Sequence, residues 1–424
     1  MKNTIFYGLL AIYVFFLVDW STIQLLKIAG MNIYYGDIFF FLILATAVWS
    51  FAKNGISWRW IRPVTAGYLL FLAWLVLEVF WGWRIYGYRA LGEARYVLPF
   101  FAFFIPYFLL ADKRSDNPAL VGKYVRMTTY VAAAASLLFL ICSLIYREPF
   151  YFSEINLQNQ KIWLHKLISS DQSFHIILLA MFIFFLSFYR KKFFSLPKII
   201  FFLLIILVLP VNNRTALISS FAALLVLLVL AKKFREILFA GASVALIFAL
   251  IYAVPDIEYR YYPVQSRQKV FGLNIEQVKG MQTVYWRLYQ NKAALREILK
   301  KPFFGHHLGG YFNFFIPETN QKNTYPPHNQ YILILLKTGM IGLVLMLVPL
   351  LLLLRQLFKF LADERLEKSE RSTVWLLLLV LLAQLPYGMG FGFIPLYAVY
   401  FGFGVIFSES LAKKYAPQLR IGKT

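Results

Sequence analysis

Long apolar runs, separated by short polar breaks, recur along the whole chain. A bilayer core about 30 Å thick takes roughly 20 mostly apolar residues per helix. Runs of that kind lie near residues 4–18, 36–52, 64–82, 96–111, 124–145, 174–189, 197–211, 215–231, 237–254, 330–354, 373–390 and 392–411. A helix satisfies its own backbone hydrogen bonds in hydrocarbon, whereas the period-two alternation of a membrane barrel is absent. The pattern predicts an all-α, polytopic membrane helical bundle of about 12 transmembrane helices with one large loop containing short helices on the outward side.

The polar breaks set the orientation. Lys53, Arg59 and Arg62, then Lys113, Arg114 and Lys123, then Arg190, Lys191, Lys192 and Lys198, then Lys232, Lys233 and Arg235, and finally the stretch from Arg355 to Arg371 fall in alternate breaks. They share one side with Lys2 and with Lys413, Lys414, Arg420 and Lys423, so the positive-inside rule expects both termini in the cytoplasm of a multi-pass plasma-membrane protein. On the other side, residues 255–327 form by far the longest loop, with ten Lys or Arg against five Asp or Glu. Long ordered loops tend to carry function. Three regions result: residues 1–254 with helices one to nine, the loop 255–327, and residues 328–424 with helices ten to twelve. Within the loop, Tyr285, Leu288, Leu295 and Ile298 recur at helical spacing, which predicts an amphipathic helix near Met281 to Lys301 ended by Pro302 and Gly305.

Composition narrows the class. The chain has 424 residues, 60% hydrophobic and 15% charged, with a mean hydropathy of +0.64, outside the range of soluble domains. The net charge of +23 does not argue for nucleic acid, because most of it sits in short breaks where orientation and anionic headgroups account for it. Cys142, the single cysteine, cannot form an internal disulfide and lies in an apolar run. No small-residue cleavage site follows the first run before Asp19 and Trp20, so the expectation is an uncleaved first span.

Several residues could do chemistry. Arg214 follows Asn212 and Asn213 in a short break between two spans; an arginine so near hydrocarbon either serves a ligand or snorkels at a helix end. Arg287, beside Trp286, is either a ligand contact or a solvated charge. His328 stands in Pro326-Pro327-His328-Asn329-Gln330-Tyr331 at the start of a span. A neutral imidazole there can accept a proton, and it can equally pack or cap. Arg84, Arg89, Glu93 and Arg95 follow the third span, and Lys161, His165, Lys166 and Asp171 precede the sixth; each group reads as a site lining or as a solvated face. Glu78, in the outer part of the third span, is a functional candidate or the ion-pair partner of a nearby arginine. His306 and His307 are adjacent and therefore poorly spaced to chelate, so no metal site is expected. No phosphate-cradling glycine loop, zinc-protease motif or nucleophile elbow occurs.

The order Asn212-Asn213-Arg214-Thr215-Ala216-Leu217, an Arg-bearing loop helix, Lys301-Pro302-Phe303-Phe304-Gly305, His328-Asn329-Gln330-Tyr331 and Gly339-Met340-Ile341-Gly342 resembles the O-antigen ligase and O-antigen polymerase superfamily, in motif over residues 205 to 350 and in topology over the chain. Two positions depart from the family's pattern: Gly305-His306-His307-Leu308-Gly309-Gly310 lengthens the glycine turn, and Asn291 stands where a tryptophan is common. The resemblance implies transfer of a saccharide from undecaprenyl diphosphate to a sugar hydroxyl, on lipid A core for a ligase or on a second carrier-linked chain for a polymerase. It implies no metal or other cofactor and an inverting displacement, and it makes the large outward loop, with its short helices, periplasmic. It further implies that Arg214 and Arg287 bind the donor diphosphate and that His328 orients or deprotonates the acceptor, with Arg89, Arg95, Asn329 and Tyr325 as secondary candidates.

Ligase and polymerase share donor and motifs, and the sequence leaves both open. A polysaccharide-lipid transporter is the rival from another class. Against it stand the absence of repeat symmetry between halves and the single large loop on one side.

Overall fold

The computed structural model of the protein describes residues 24–28, 31–34, 63–94, 97–110, 116–146, 151–157, 160–166, 170–186, 196–208, 214–242, 275–310, 312–316, 321–323, 327–390 and 396–421, with four single positions between 41 and 49. The expected spans 4–18, nearly all of 36–52, and 237–254 beyond Ala242 lie outside these residues.

Helices dominate. In chain order they are α1 (Pro63–Tyr86), α2 (Tyr88–Ala94), a 3-10 helix (Leu98–Phe103) leading into α3 (Phe104–Leu109), α4 (Pro118–Tyr146), α5 (Ser170–Leu186), α6 (Leu196–Val208), α7 (Arg214–Leu230), α8 (Ile275–Lys300), α9 (Gln330–Leu361), α10 (Lys368–Gly390) and α11 (Tyr397–Ile421). Three antiparallel hairpins sit in the connections: β1 (Gln24–Ile28) with β2 (Met31–Tyr34), β3 (Tyr151–Leu157) with β4 (Gln160–Lys166), and β5 (Phe314–Ile316) with β6 (Gln321–Asn323). Lys161, His165 and Lys166 therefore belong to a paired strand, opposite Asn156, Phe152 and Tyr151.

Among the described residues, Pro63–Tyr86, Pro118–Cys142, Gln330–Leu361 and Lys368–Met389 are long and apolar enough to cross a membrane, and Gln172–Leu186, Leu196–Ile205 and Thr215–Leu230 are shorter apolar helices. The run 96–111 is not one continuous helix: Pro99 and Pro106 punctuate it, and the chain passes from a 3-10 turn into a short α-helix. The loop helix is a single element of 26 residues, longer than the short helices the sequence implied, and it ends at Lys300, immediately before Pro302 as expected.

Burial orders the bundle. Helix α5 packs against α4, α6 and α7, while α10 packs against α7, α9 and α4. An aromatic nest joins α1 to the 3-10 helix and α11. The Tyr68 ring stacks on Phe401 at 4.5 Å between centroids, and its hydroxyl donates to the Phe100 carbonyl at 3.0 Å. By contrast Leu70, Val76 and Phe80 on α1 and Val344, Val348 and Leu351 on α9 remain exposed, an outward apolar stripe suited to acyl chains.

Helices α1 and α9 run along one another, and α9 is broken. Gly339 takes φ 67° and ψ −171° inside it, which frees carbonyls before the break and N–H groups after it. In hydrocarbon each orphan costs several kcal/mol, and a turn from the loop meets them. His306 and His307 donate their N–H groups to the Leu336 and Lys337 carbonyls at 2.8 and 2.9 Å. In return, Met340 and Ile341 donate theirs to the Pro302 and Phe303 carbonyls at 2.8 and 3.3 Å. From α1, the Trp74 indole N–H donates to the Thr338 carbonyl at 3.2 Å.

The approach leaves no room for a side chain: a Cβ on Gly339 would lie 2.0 Å from the Phe303 oxygen. Gly339→Ala combines that clash with a left-handed φ and is expected to cost at least about 2 kcal/mol, read as a lowered thermal midpoint in detergent. Gly241→Ala, where a Cβ would meet nothing within 4 Å, should leave the midpoint in place; equal midpoints for all three proteins would contradict the packing described.

Candidate active site

The loop helix is seated by one face. Ala294 and Ile298 are buried against Leu336 of α9 and Phe312. Gln290 and Arg287 continue the same face toward the helix N-terminus, three or four residues apart. Gln290 is fully buried, and its Oε1 accepts the backbone N–H of His328 at 3.2 Å. The structure therefore brings His328 beside the helix turn that precedes with Arg287. Arg287 is half-buried, and this burial pulls its guanidinium below the ordinary arginine value without discharging it at neutral pH.

His328 is exposed, just outside the start of α9, on a chain whose preceding Pro327 is buried. Asn329 is the helix N-cap: its Oδ1 accepts the N–H groups of Tyr331 and Ile332 at 3.0 and 3.2 Å. That engagement accounts for Asn329 as a structural cap, which fixes where the helix begins and hence where His328 stands. The Tyr331 hydroxyl donates to the Leu385 carbonyl at 2.8 Å and ties this end of α9 to α10. Arg214 is the first residue of α7, which packs most extensively against α10 and α5. Arg89 lies on α2, close enough to Lys337 for their charges to interact. Arg95 and Tyr325 fall outside the described residues.

Two polar pairs lock the glycine turn behind His328. Glu78 on α1, whose side chain is wholly buried, meets His307 Nδ1 at 2.6 Å. Its partner is therefore this histidine and not an arginine of the adjacent break. The contact holds one proton between the two atoms. Burial first, and the Lys301 and His306 charges second, hold the His307 imidazole below its ordinary value. The second pair joins Lys337 Nζ on α9 to Glu93 Oε2 on α2. Lys337 also donates to the Gly310 carbonyl, while Glu93 accepts the Gly309 N–H at 2.7 Å. His306 completes the seat, its Nε2 lying 2.9 Å from the Glu297 carbonyl oxygen.

Sequence reasoning passed over Lys337 and Gln290. A lysine inside the apolar run Ile332 to Val344 was itself a signal, since a charge at that depth has a partner or a task. Nothing local marked Gln290.

Residues 199–347 match the family described as O-antigen ligase. That stretch is similar to the O-antigen ligase family. The matched stretch runs from α6 into α9 and holds Arg214, Arg287, the turn at Gly305 and His328. No curated protein matches the chain. Within the matched stretch, the lengthened glycine segment is the part that carries His307 to Glu78.

Separating a mostly buried charge pair costs about 3 kcal/mol or more. Lys337→Met and Glu93→Gln should each lower stability to chemical denaturation in detergent, and the double variant should lose at least about 1 kcal/mol less than the sum of the two; strict additivity would deny the pairing. Because the folded pair keeps one proton and the lowered His307 value resists a second, while the unfolded chain binds two once its carboxylate also titrates, the pair's contribution to stability falls as pH drops below about 4.3. His307→Gln should flatten that acid limb of the thermal midpoint against pH, and an unchanged limb would place its source elsewhere.

Proposed function

We propose that this protein is a metal-independent, inverting glycosyltransferase that moves a saccharide from undecaprenyl diphosphate to a sugar hydroxyl of lipid A core, on the periplasmic face of the bacterial inner membrane. The observation that carries the reading is the match of residues 199–347 to the O-antigen ligase family together with the Gln290 bond, which ties His328 to the helix bearing Arg287.

The acceptor oxygen attacks the anomeric carbon as the bond from that carbon to the diphosphate oxygen breaks. The hydroxyl proton passes to His328, and the diphosphate departs with the bonding pair. Guanidinium forks match diphosphate oxygens, so Arg214 and Arg287 neutralise the charge that builds on the leaving group. His328 is exposed to an incoming acceptor, and the bond from its backbone N–H to Gln290 fixes where it stands. In this arrangement both termini are cytoplasmic, residues 255–327 form the periplasmic loop, and residues 1–254 and 328–424 supply the membrane helices.

Purified protein with an undecaprenyl-diphosphate oligosaccharide donor and a lipid A core acceptor should give a gel-shifted core. His328→Ala should lower kcat about 100-fold or more, and Arg214→Ala or Arg287→Ala should each depress transfer severely. Donor chains that lengthen without modifying core would assign a polymerase, and undiminished transfer by His328→Ala would remove its role.

A further inference from the structure

At the end of α9 far from His328 lies a cavity of about 620 Å³ between the C-terminal ends of α5, α7 and α9 and the first turns of α10. With 32 residues at about 1.5 Å each, α9 separates the two ends by on the order of 48 Å. The cavity is therefore distinct from the site described above. Its walls are apolar where Phe185, Leu230, Phe358 and Trp375 line it, and Lys233 and Arg371 supply positive charge.

Asp363, Glu367 and Glu370 at this end are paired with groups of the protein itself. Lys414 meets Glu367 at 2.5 Å and Glu370 at 2.9 Å, and Tyr415 donates to Glu370 at 2.7 Å. Asp363 is gripped through both carboxylate oxygens by Arg365 at 2.9 and 2.7 Å. Arg371 is held in place by a 3.0 Å bond from its Nη2 to the Asp363 carbonyl. A fixed guanidinium and an exposed ammonium thus adjoin an apolar recess whose lining, among the described residues, includes no carboxylate.

We infer that this cavity binds the phosphate headgroup of an anionic phospholipid, with Arg371 and Lys233 on the phosphate and the upper acyl chain against Phe358 and Trp375. The chemistry is that of basic pockets between membrane helices that take anionic headgroups. The volume lies within the range of small-ligand sites, enough for a headgroup and glycerol with the chains extending outward. The occupant would be a structural lipid, independent of the donor.

Native mass spectrometry of the full chain released from mixed phosphatidylglycerol and phosphatidylcholine nanodiscs tests this. Wild type should retain phosphatidylglycerol in preference to phosphatidylcholine, and Lys233→Gln with Arg371→Gln should lower that retention about tenfold. Lys292→Gln with Lys300→Gln, the same charge change on α8, should not. Equal retention by both double variants would overturn the inference, as would displacement of the lipid by millimolar inorganic phosphate, which would mark a free-phosphate site. As a check that needs no substitution, a photoreactive phosphatidylglycerol should label the peptides containing Phe358 or Trp375 in wild type, and labelling confined to other peptides would equally overturn it.

Discussion

Breaking a helix within an apolar bundle strands backbone donors and acceptors that lipid cannot solvate, so the break persists only where another part of the chain replaces the lost bonds. At Gly339 the replacement comes from the turn that follows the loop helix. Leu336, Lys337, Met340 and Ile341 each exchange a backbone bond with residues 302–307, and Trp74 covers the carbonyl between them. The exchange is reciprocal, so neither segment holds its shape alone: the turn is shaped by α9, and α9 is broken where the turn enters. Everything at the candidate site hangs from this joint. Helix α8 ends at the turn, and its buried face lies on Leu336 beside the break. Gln290, two turns back along that face, reaches the His328 backbone.

The polar pairs behind the joint add direction. The backbone exchange fixes the turn against α9, while Glu78 through His307 and Glu93 through Lys337 and Gly309 fix it against α1 and α2. Side chains of three elements, α1, α2 and α9, thus meet on a stretch of about ten residues. A site built this way is preorganised. His328 stays exposed while its backbone, the adjoining cap and the helix start are all held, which is the preorganisation that the proposed role asks for. The exposed apolar stripes lie on α1 and α9, two of the helices that build the same framework.

Much of this fold was legible in the sequence, since α1, α4, α9 and α10 coincide with apolar runs long enough to cross a bilayer and the loop helix showed in its spacing. The break at Gly339 was not. Gly339-Met340-Ile341-Gly342 sits in an apolar run that reads as continuous helix, and only the arriving turn distinguishes a broken helix from a straight one. Long-range pairing was hidden for a related reason. Glu78 and His307 are separated by 229 positions and Glu93 and Lys337 by 244, and no periodicity links them. His328 and Arg287 were singled out chiefly through a family likeness, and the residue that joins them, Gln290, has no signature beyond lying one turn along the same helix face. Asn329, a secondary candidate by the family resemblance, is also the cap that starts α9, and that role showed in its place before the helix.

The joint itself can be read residue by residue. Hydrogen–deuterium exchange of the detergent-solubilised protein, resolved to the amides of His306, His307, Met340 and Ile341, measures whether the turn and the broken helix close on each other. Protection of all four comparable to that of the α9 interior at Leu350 and Leu353 is the expected result. Rapid exchange at His306 and His307 beside a protected α9 would contradict the account, because the loop helix, and with it Arg287 and Gln290, would then be detached from His328.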